Sequence, residues 1–142
     1  MDTTTEKAGL DRADFASQFA GMARLTIRVD FDSGAQFGPG KARLLEAIES
    51  TGSIRKAAAS LRMSYRRAWL LLQAIEEAVH ERVTLTEAGG RHGGGTKLTA
   101  LGRKLLKHYR GIERHAARAA AKDLQALNAL TKSRPRSKHH GH

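Results

Sequence analysis

The chain has 142 residues, 25 Lys and Arg against 14 Asp and Glu, a formal net charge of +11 and no cysteine. That length fits one modest domain with flexible ends, and the missing cysteine excludes a disulfide framework, thiolate metal sites and cysteine nucleophiles together. No apolar run approaches the roughly 18 residues of a membrane span and no export signal is visible, so a cytoplasmic protein is expected; the excess positive charge points to a polyanionic partner.

Residues 1–22 are polar and weakly patterned, and read as a partly disordered tail in which residues 11–22 have the spacing of a short helix with Phe15 and Phe19 on one side. From Leu25 the pattern alternates strictly, Leu25, Ile27, Val29 and Phe31 against Thr26, Arg28, Asp30 and Asp32, which predicts a strand with one buried face. Asp32-Ser33-Gly34 supplies turn chemistry and Ala35-Gln36-Phe37 a short antiparallel partner. Such a hairpin is marginal alone, so its apolar face needs the helical core or a second copy of the chain.

Gly38-Pro39-Gly40 breaks the chain before a predicted helix from about Lys41 to Ser50 with Leu44, Leu45 and Ile48 inward. A glycine, a lysine and a following helix invite a phosphate-loop reading, but Ala35 stands where the first glycine belongs and Ala42 follows the lysine. A turn and a helix start explain the stretch.

The most informative segment runs from Ser53 to Val79. One helix starts at Ser53, an N-cap residue, with Ile54, Ala57, Ala58 and Leu61 on one face, and three consecutive alanines permit another helix to approach closely. A phase break at Arg62-Met63-Ser64 marks a tight turn, and a second helix starts at Ser64. Ala68, Leu72, Ile75 and Val79 recur at steps of four and three, leaving Arg66, Leu70, Gln73 and Glu77 roughly opposite and Arg67 to one side. That is a helix-turn-helix. In this motif the first residues of the second helix enter the DNA major groove, where arginine donates two hydrogen bonds to guanine. Arg55, Lys56, Ser64, Tyr65, Arg66 and Arg67 are accordingly candidate DNA contacts.

Val83 to Thr86 and Thr96 to Thr99 read as short strands around a glycine-dense loop that carries Arg91 and His92. Few side chains let backbone N–H groups lie close to phosphates, so Arg91, His92 and Lys97 are candidate wing contacts. Thr99 can cap a long helix, to about residue 127, with Leu101, Leu105, Tyr109, Ile112 and Ala116 on one stripe continued loosely by Leu124, Leu127 and Leu130. That stripe exceeds what a small winged domain can cover, which predicts pairing between two chains. Arg103, Lys107, Arg110, Arg114, Arg118 and Lys122 line another side, read as a solvated basic face. Residues 128–142 read as a basic disordered tail whose His139, His140 and His142 are expected to hold no physiological metal. The expected fold is mainly α with small β hairpins, a winged helix-turn-helix domain over 23–127 ending in a long dimerisation helix.

Gly52-Ser53-Ile54, Met63-Ser64-Tyr65-Arg66-Arg67-Ala68-Trp69, Gly89-Gly90-Arg91-His92-Gly93-Gly94-Gly95 and Leu98-Thr99-Ala100-Leu101-Gly102 together resemble the N-terminal DNA-binding domain of the ModE family of molybdate-responsive regulators, itself similar to the LysR-type winged helix. The resemblance spans about Leu25 to Leu127 and implies a homodimer on double-stranded DNA, with Ser64, Tyr65, Arg66 and Arg67 facing the groove and Arg91 and His92 on the wing. Trp69 is expected in the core or at its rim rather than as a stacking platform. Arg62 departs from the glycine many such turns carry, and the oxyanion-binding domains of full-length family members have no counterpart in this sequence, so no molybdate site is expected. A sequence-specific transcriptional regulator is the leading expectation. The alternative is an architectural protein that coats DNA through the basic helix and tail without reading bases, and a third reading is an adaptor that binds a protein through the apolar stripe. No nucleophile, base and orienting group share a recognisable spacing, so neither enzyme activity nor a cofactor is expected.

Overall fold

The computed structural model describes residues 23–88 and 95–131. Two compact units are present, one formed by Thr26–Arg114 and the other by the described parts of Met1–Leu25 and His115–His142. The expected N-terminal helix, residues 89–94 of the glycine loop and residues 132–142 with the tail histidines lie outside the described residues, whereas residues 128–131, expected to open the disordered tail, continue a helix.

In the first unit, β1 (Val29–Asp30) pairs antiparallel with β2 (Gln36–Phe37), Val29 opposite Phe37. The ladder is shorter than the alternation predicts because its partner strand ends at Phe37, with a helix starting at Pro39, and at the other end the chain already turns at Phe31, whose N–H donates to Ala35 O at 2.8 Å. The predicted face survives from Ile27 onward: Ile27, Val29 and Phe31 pack against the core while Thr26, Arg28, Asp30 and Asp32 are exposed, but Leu25, expected on the buried face, is 43% exposed. The chain's own helical core thus covers the hairpin. Phe37 is buried edge-on against Tyr109, ring centroids 5.1 Å apart, and the Tyr109 hydroxyl donates to Ile27 O at 2.7 Å.

α1 (Pro39–Thr51) starts two residues before the expected point, because proline at the first helical position has no N–H to leave unpaired and its fixed φ suits the helix. It buries Ala42, Leu44, Leu45 and Ile48 and stops at Gly52, which takes φ 73° as a left-handed C-cap and donates its N–H to Ile48 O. α2 (Ile54–Ser60) follows at once, its first turn capped by Ser53, which accepts from Lys56 N at 3.0 Å. Ala57 and Ala58 are fully or almost fully buried where α2 packs on its neighbours.

The turn out of α2 is tight. Arg62 N–H donates to Ala59 O and Met63 N–H reaches back to Ala58 O, both at 3.0 Å, while Arg62 takes φ 58°. Those bonds are a Schellman ending, with arginine in the left-handed position that glycine occupies most easily. α3 (Tyr65–Val79) then starts with Ser64 as cap, its hydroxyl accepting from Arg67 N at 3.0 Å, and buries Ala68, Leu72 and Ile75 as expected.

β3 (Thr84–Glu87) and β4 (Gly95–Leu98) form the second hairpin, Thr84 opposite Leu98 and Glu87 opposite Gly95. Thr99 N–H to Val83 O at 2.9 Å extends the ladder by one pair, and two bonds fix the hairpin to the helices: Thr96 N–H to Gly52 O at the end of α1 at 2.8 Å, and Val83 N–H to the Glu76 carboxylate of α3 at 2.9 Å. α4 (Ala100–Ala119) is capped by Thr99, which accepts from Gly102 N at 3.1 Å. Gly102 is buried against the backbone of β3's entry, where an added Cβ would collide with Val83 O.

In the second unit, α5 (Ala121–Thr131) follows α4 after Ala120, so the expected single helix is divided, although Ala120 N and Leu124 N both keep their i→i−4 bonds. Ala23 N–H donates to Asn128 Oδ1 at 3.1 Å. α5 buries no residue, and Leu127 and Leu130 are 54% and 71% exposed.

Candidate nucleic-acid interface

α3 divides its surface as its sequence predicts: Arg66, Leu70, Gln73 and Glu77 are exposed opposite the buried stripe, and Arg67 is exposed beside them. The 3.6-residue repeat does this, because the core needs only one side of the helix. Neither Arg66 nor Arg67 pairs with a carboxylate among the described residues. With Ser64, Leu70 and Leu71 they line a shallow dent at the start of the helix. Two uncompensated guanidinium groups therefore stand where the positive end of the helix dipole also lies, which favours an anionic ligand.

Farther along the same face the sign changes. Glu77 lies eleven residues beyond Arg66, roughly 16 Å along the axis. A carboxylate there repels phosphate, so the usable part of the face is the first half of α3.

The other candidates cluster near this end or on the hairpin. Arg55 stacks its guanidinium carbon 4.4 Å from the Tyr65 ring centroid, which ties the first turn of α2 to the first turn of α3. Lys56 is exposed and Tyr65 is 40% exposed. Lys97 on β4 is exposed but pairs with Glu87 at 3.0 Å. A pair so open to water contributes only about 0–1 kcal/mol, little hindrance to exchange for a phosphate. Arg91 and His92 lie outside the described residues.

Two expectations need correction. Trp69 is not part of the core rim: it is 47% exposed, and Leu70 beside it 50%, so the open face of α3 carries an apolar strip between its arginines and Gln73. Nor does Arg110 belong to a solvated basic face. Its guanidinium bonds both oxygens of Glu46 on α1 at 2.8 and 2.9 Å and Glu113 at 2.6 Å, with only about a fifth of each Arg110–Glu46 side chain exposed. Burial alone would lower the Arg110 pKa, but the bonds to Glu46 and Glu113 outweigh it and the pKa is raised. Arg110 fastens α4 to α1. Arg103 likewise bends back to donate to Leu98 O at 2.9 Å. Lys41, the lysine of the rejected phosphate loop, is tied to Gln36 O at 2.6 Å, and burial lowers its pKa.

Among the described residues no helix is long and apolar enough to cross a membrane, and no cluster of His, Asp and Glu could hold a metal ion. Three packed helices, a tight turn before an exposed basic helix start, and a hairpin tied to both define a winged helix-turn-helix domain. Comparison with known proteins extends that class. The chain is 37% identical over 110 residues to the molybdenum transport protein ModE of Azotobacter vinelandii, a match covering 78% of this chain and 40% of that one. It is 38% identical over 96 residues to the molybdenum-pterin-binding protein MopB of Rhodobacter capsulatus, covering 68% and 36%. It is 38% identical over 76 residues to the transcriptional regulator ModE of Haemophilus influenzae, covering 54% and 30%. Over the matched stretch the chain is homologous to these ModE-type proteins, and it spans well under half the length of each. No protein-family model matches. A solved complex of the CbnR DNA-binding domain with DNA aligns with a TM-score of 0.48 at 26% identity, covering 62% of this chain and 95% of that one. None of the three relatives is named as an enzyme.

Proposed function

We propose that the chain is a sequence-specific DNA-binding transcriptional regulator that acts in the cytoplasm as a homodimer. α3 enters the major groove, and the glycine-rich wing over residues 89–97 lies on the backbone or in the minor groove. The observation that carries this reading is the pair Arg66 and Arg67, exposed and free of carboxylates at the start of a helix whose other face is locked into the core. Arginine in that position has the donor geometry for guanine O6 and N7. Arg55, Lys56, Ser64 and Tyr65 approach the adjoining phosphates, and Lys97, Arg91 and His92 serve the wing. Homology to a protein named as a transcriptional regulator supports the same assignment. Ile112 and Leu127 on the last two helices, 43% and 54% exposed, are apolar groups that pairing of two chains would cover.

The test is capture of genomic fragments by the purified chain at about 150 mM salt, a concentration that weakens purely electrostatic contacts. An inverted repeat is the expected product, its half-site spacing reporting the distance between the two α3 helices. Arg66→Ala with Arg67→Ala should then lower affinity for that repeat by about 1–3 kcal/mol per lost bidentate contact and leave nonspecific binding in place. Even recovery of all fragments, indifferent to the two arginines, would favour the architectural alternative.

A further inference from the structure

The open face of α3 holds more than arginine. At about 100° per residue, Leu70 projects within about 40° of Arg66 and Gln73 within about 20° of it on the other side, so Leu70 stands near the outermost line of the helix. Half of its surface is exposed, and Trp69, 47% exposed, adds a second apolar group about 60° from Arg66 on the side away from Leu70 and Arg67. A solvent-facing helix normally carries polar residues along that line. The core leaves Leu70 uncovered, and Leu70 shares its dent with the unpaired Arg66 and Arg67. An occupant must therefore offer an apolar group inside a strongly anionic frame. The DNA major groove offers that combination in one place, the C5-methyl of thymine, which projects beside the acceptor edge of neighbouring bases.

We propose that Leu70 is a specificity-determining residue that reads thymine through its methyl group. The inference rests on the DNA-reading function proposed above and adds to it which base the centre of α3 selects. Leu70 lies one turn beyond Arg66, about 6 Å along the axis, close to two base-pair steps of about 3.4 Å. The half-site is thus expected to hold a thymine about two positions from the guanine bound by Arg66, with Trp69 as a second apolar wall.

The test uses the repeat recovered by genomic capture, remade as duplexes in which each thymine in turn is replaced by deoxyuridine, which removes the methyl and preserves the base pair. Binding of the intact chain should weaken about fourfold at one thymine per half-site, the worth of one buried methyl-sized group at about 0.8 kcal/mol. Leu70→Ala should bind the thymine and uracil duplexes equally, retain its affinity for random duplex, and keep its unfolding midpoint, since Leu70 is not in the core and both residues favour helix. Uracil duplexes that bind the intact chain as tightly as the parent, or a Leu70→Ala variant that still discriminates, would overturn the thymine assignment while leaving the regulator reading intact. Recovery of no preferred sequence would overturn both.

Discussion

The guanidinium carbon of Arg55 lies 4.4 Å from the centre of the Tyr65 ring, joining the two helices of the helix-turn-helix at the end where α3 is most exposed. An exposed cation–π contact contributes about 0.5–1 kcal/mol. Tyr65→Leu should therefore cost no more than about 1 kcal/mol in urea unfolding, yet weaken binding to the specific repeat by a larger factor, because Arg55 and the start of α3 lose their mutual orientation. Equal losses in stability and affinity would reduce the contact to a packing role.

Arg62 offers the opposite case, a position where the present residue is not the most stable one. Its φ of 58° is the left-handed conformation, and both bonds of the Schellman ending are made through backbone atoms alone. Arg62→Gly keeps those bonds and removes the steric cost of a Cβ there, offset in part by the greater freedom of glycine in the unfolded chain. A gain of about 0.5–1 kcal/mol is expected, read as a rise of a few degrees in melting temperature.

Gly102 tolerates no such exchange. Its Cα faces Val83 O, and the carbonyl cannot retreat because it accepts the Thr99 N–H at 2.9 Å. Gly102→Ala must push α4 away from the wing hairpin. Overpacking of this kind costs about 1–3 kcal/mol, and backbone on the far side of the contact puts this position at the upper end. Thermal unfolding should show the loss as a drop of several degrees; a neutral result would mean that the hairpin shifts freely against α4.

These positions also show what a sequence can disclose. Both serine caps, the inward stripe of α3 and the two wing strands were legible because each depends on residues within one or two turns, or on alternation along a single strand. Trp69 was not, since whether the flank of a helix is covered depends on an element distant in the chain, and here Trp69 stays 47% exposed. Arg110 was misread for a related reason. Basic residues at steps of three and four look like one solvated stripe until Glu46, 64 residues away, takes one of them out. The Arg66 and Arg67 pair needed only the phase of α3, whereas Leu70 became informative once its exposure was known.

Tyr109 links the first hairpin, α1's core and α4, and it makes stability depend on pH in the alkaline range. Burial first, and the nearby Glu113 second, push its hydroxyl from 10.0 up to about 12. The folded protein therefore holds the phenolic proton more tightly than the unfolded chain does. This contribution is fully present below about pH 10, the unfolded value, and is lost as pH rises through about 12. Urea midpoints measured from about pH 8 upward should fall over that window in the native sequence. Tyr109→Phe should lose about 1 kcal/mol at about pH 8, because Ile27 O forfeits its 2.7 Å donor, and should show a shallower fall between about pH 10 and 12. An unchanged slope in the variant would assign the alkaline loss to other groups and leave Tyr109 with its packing against Phe37 alone.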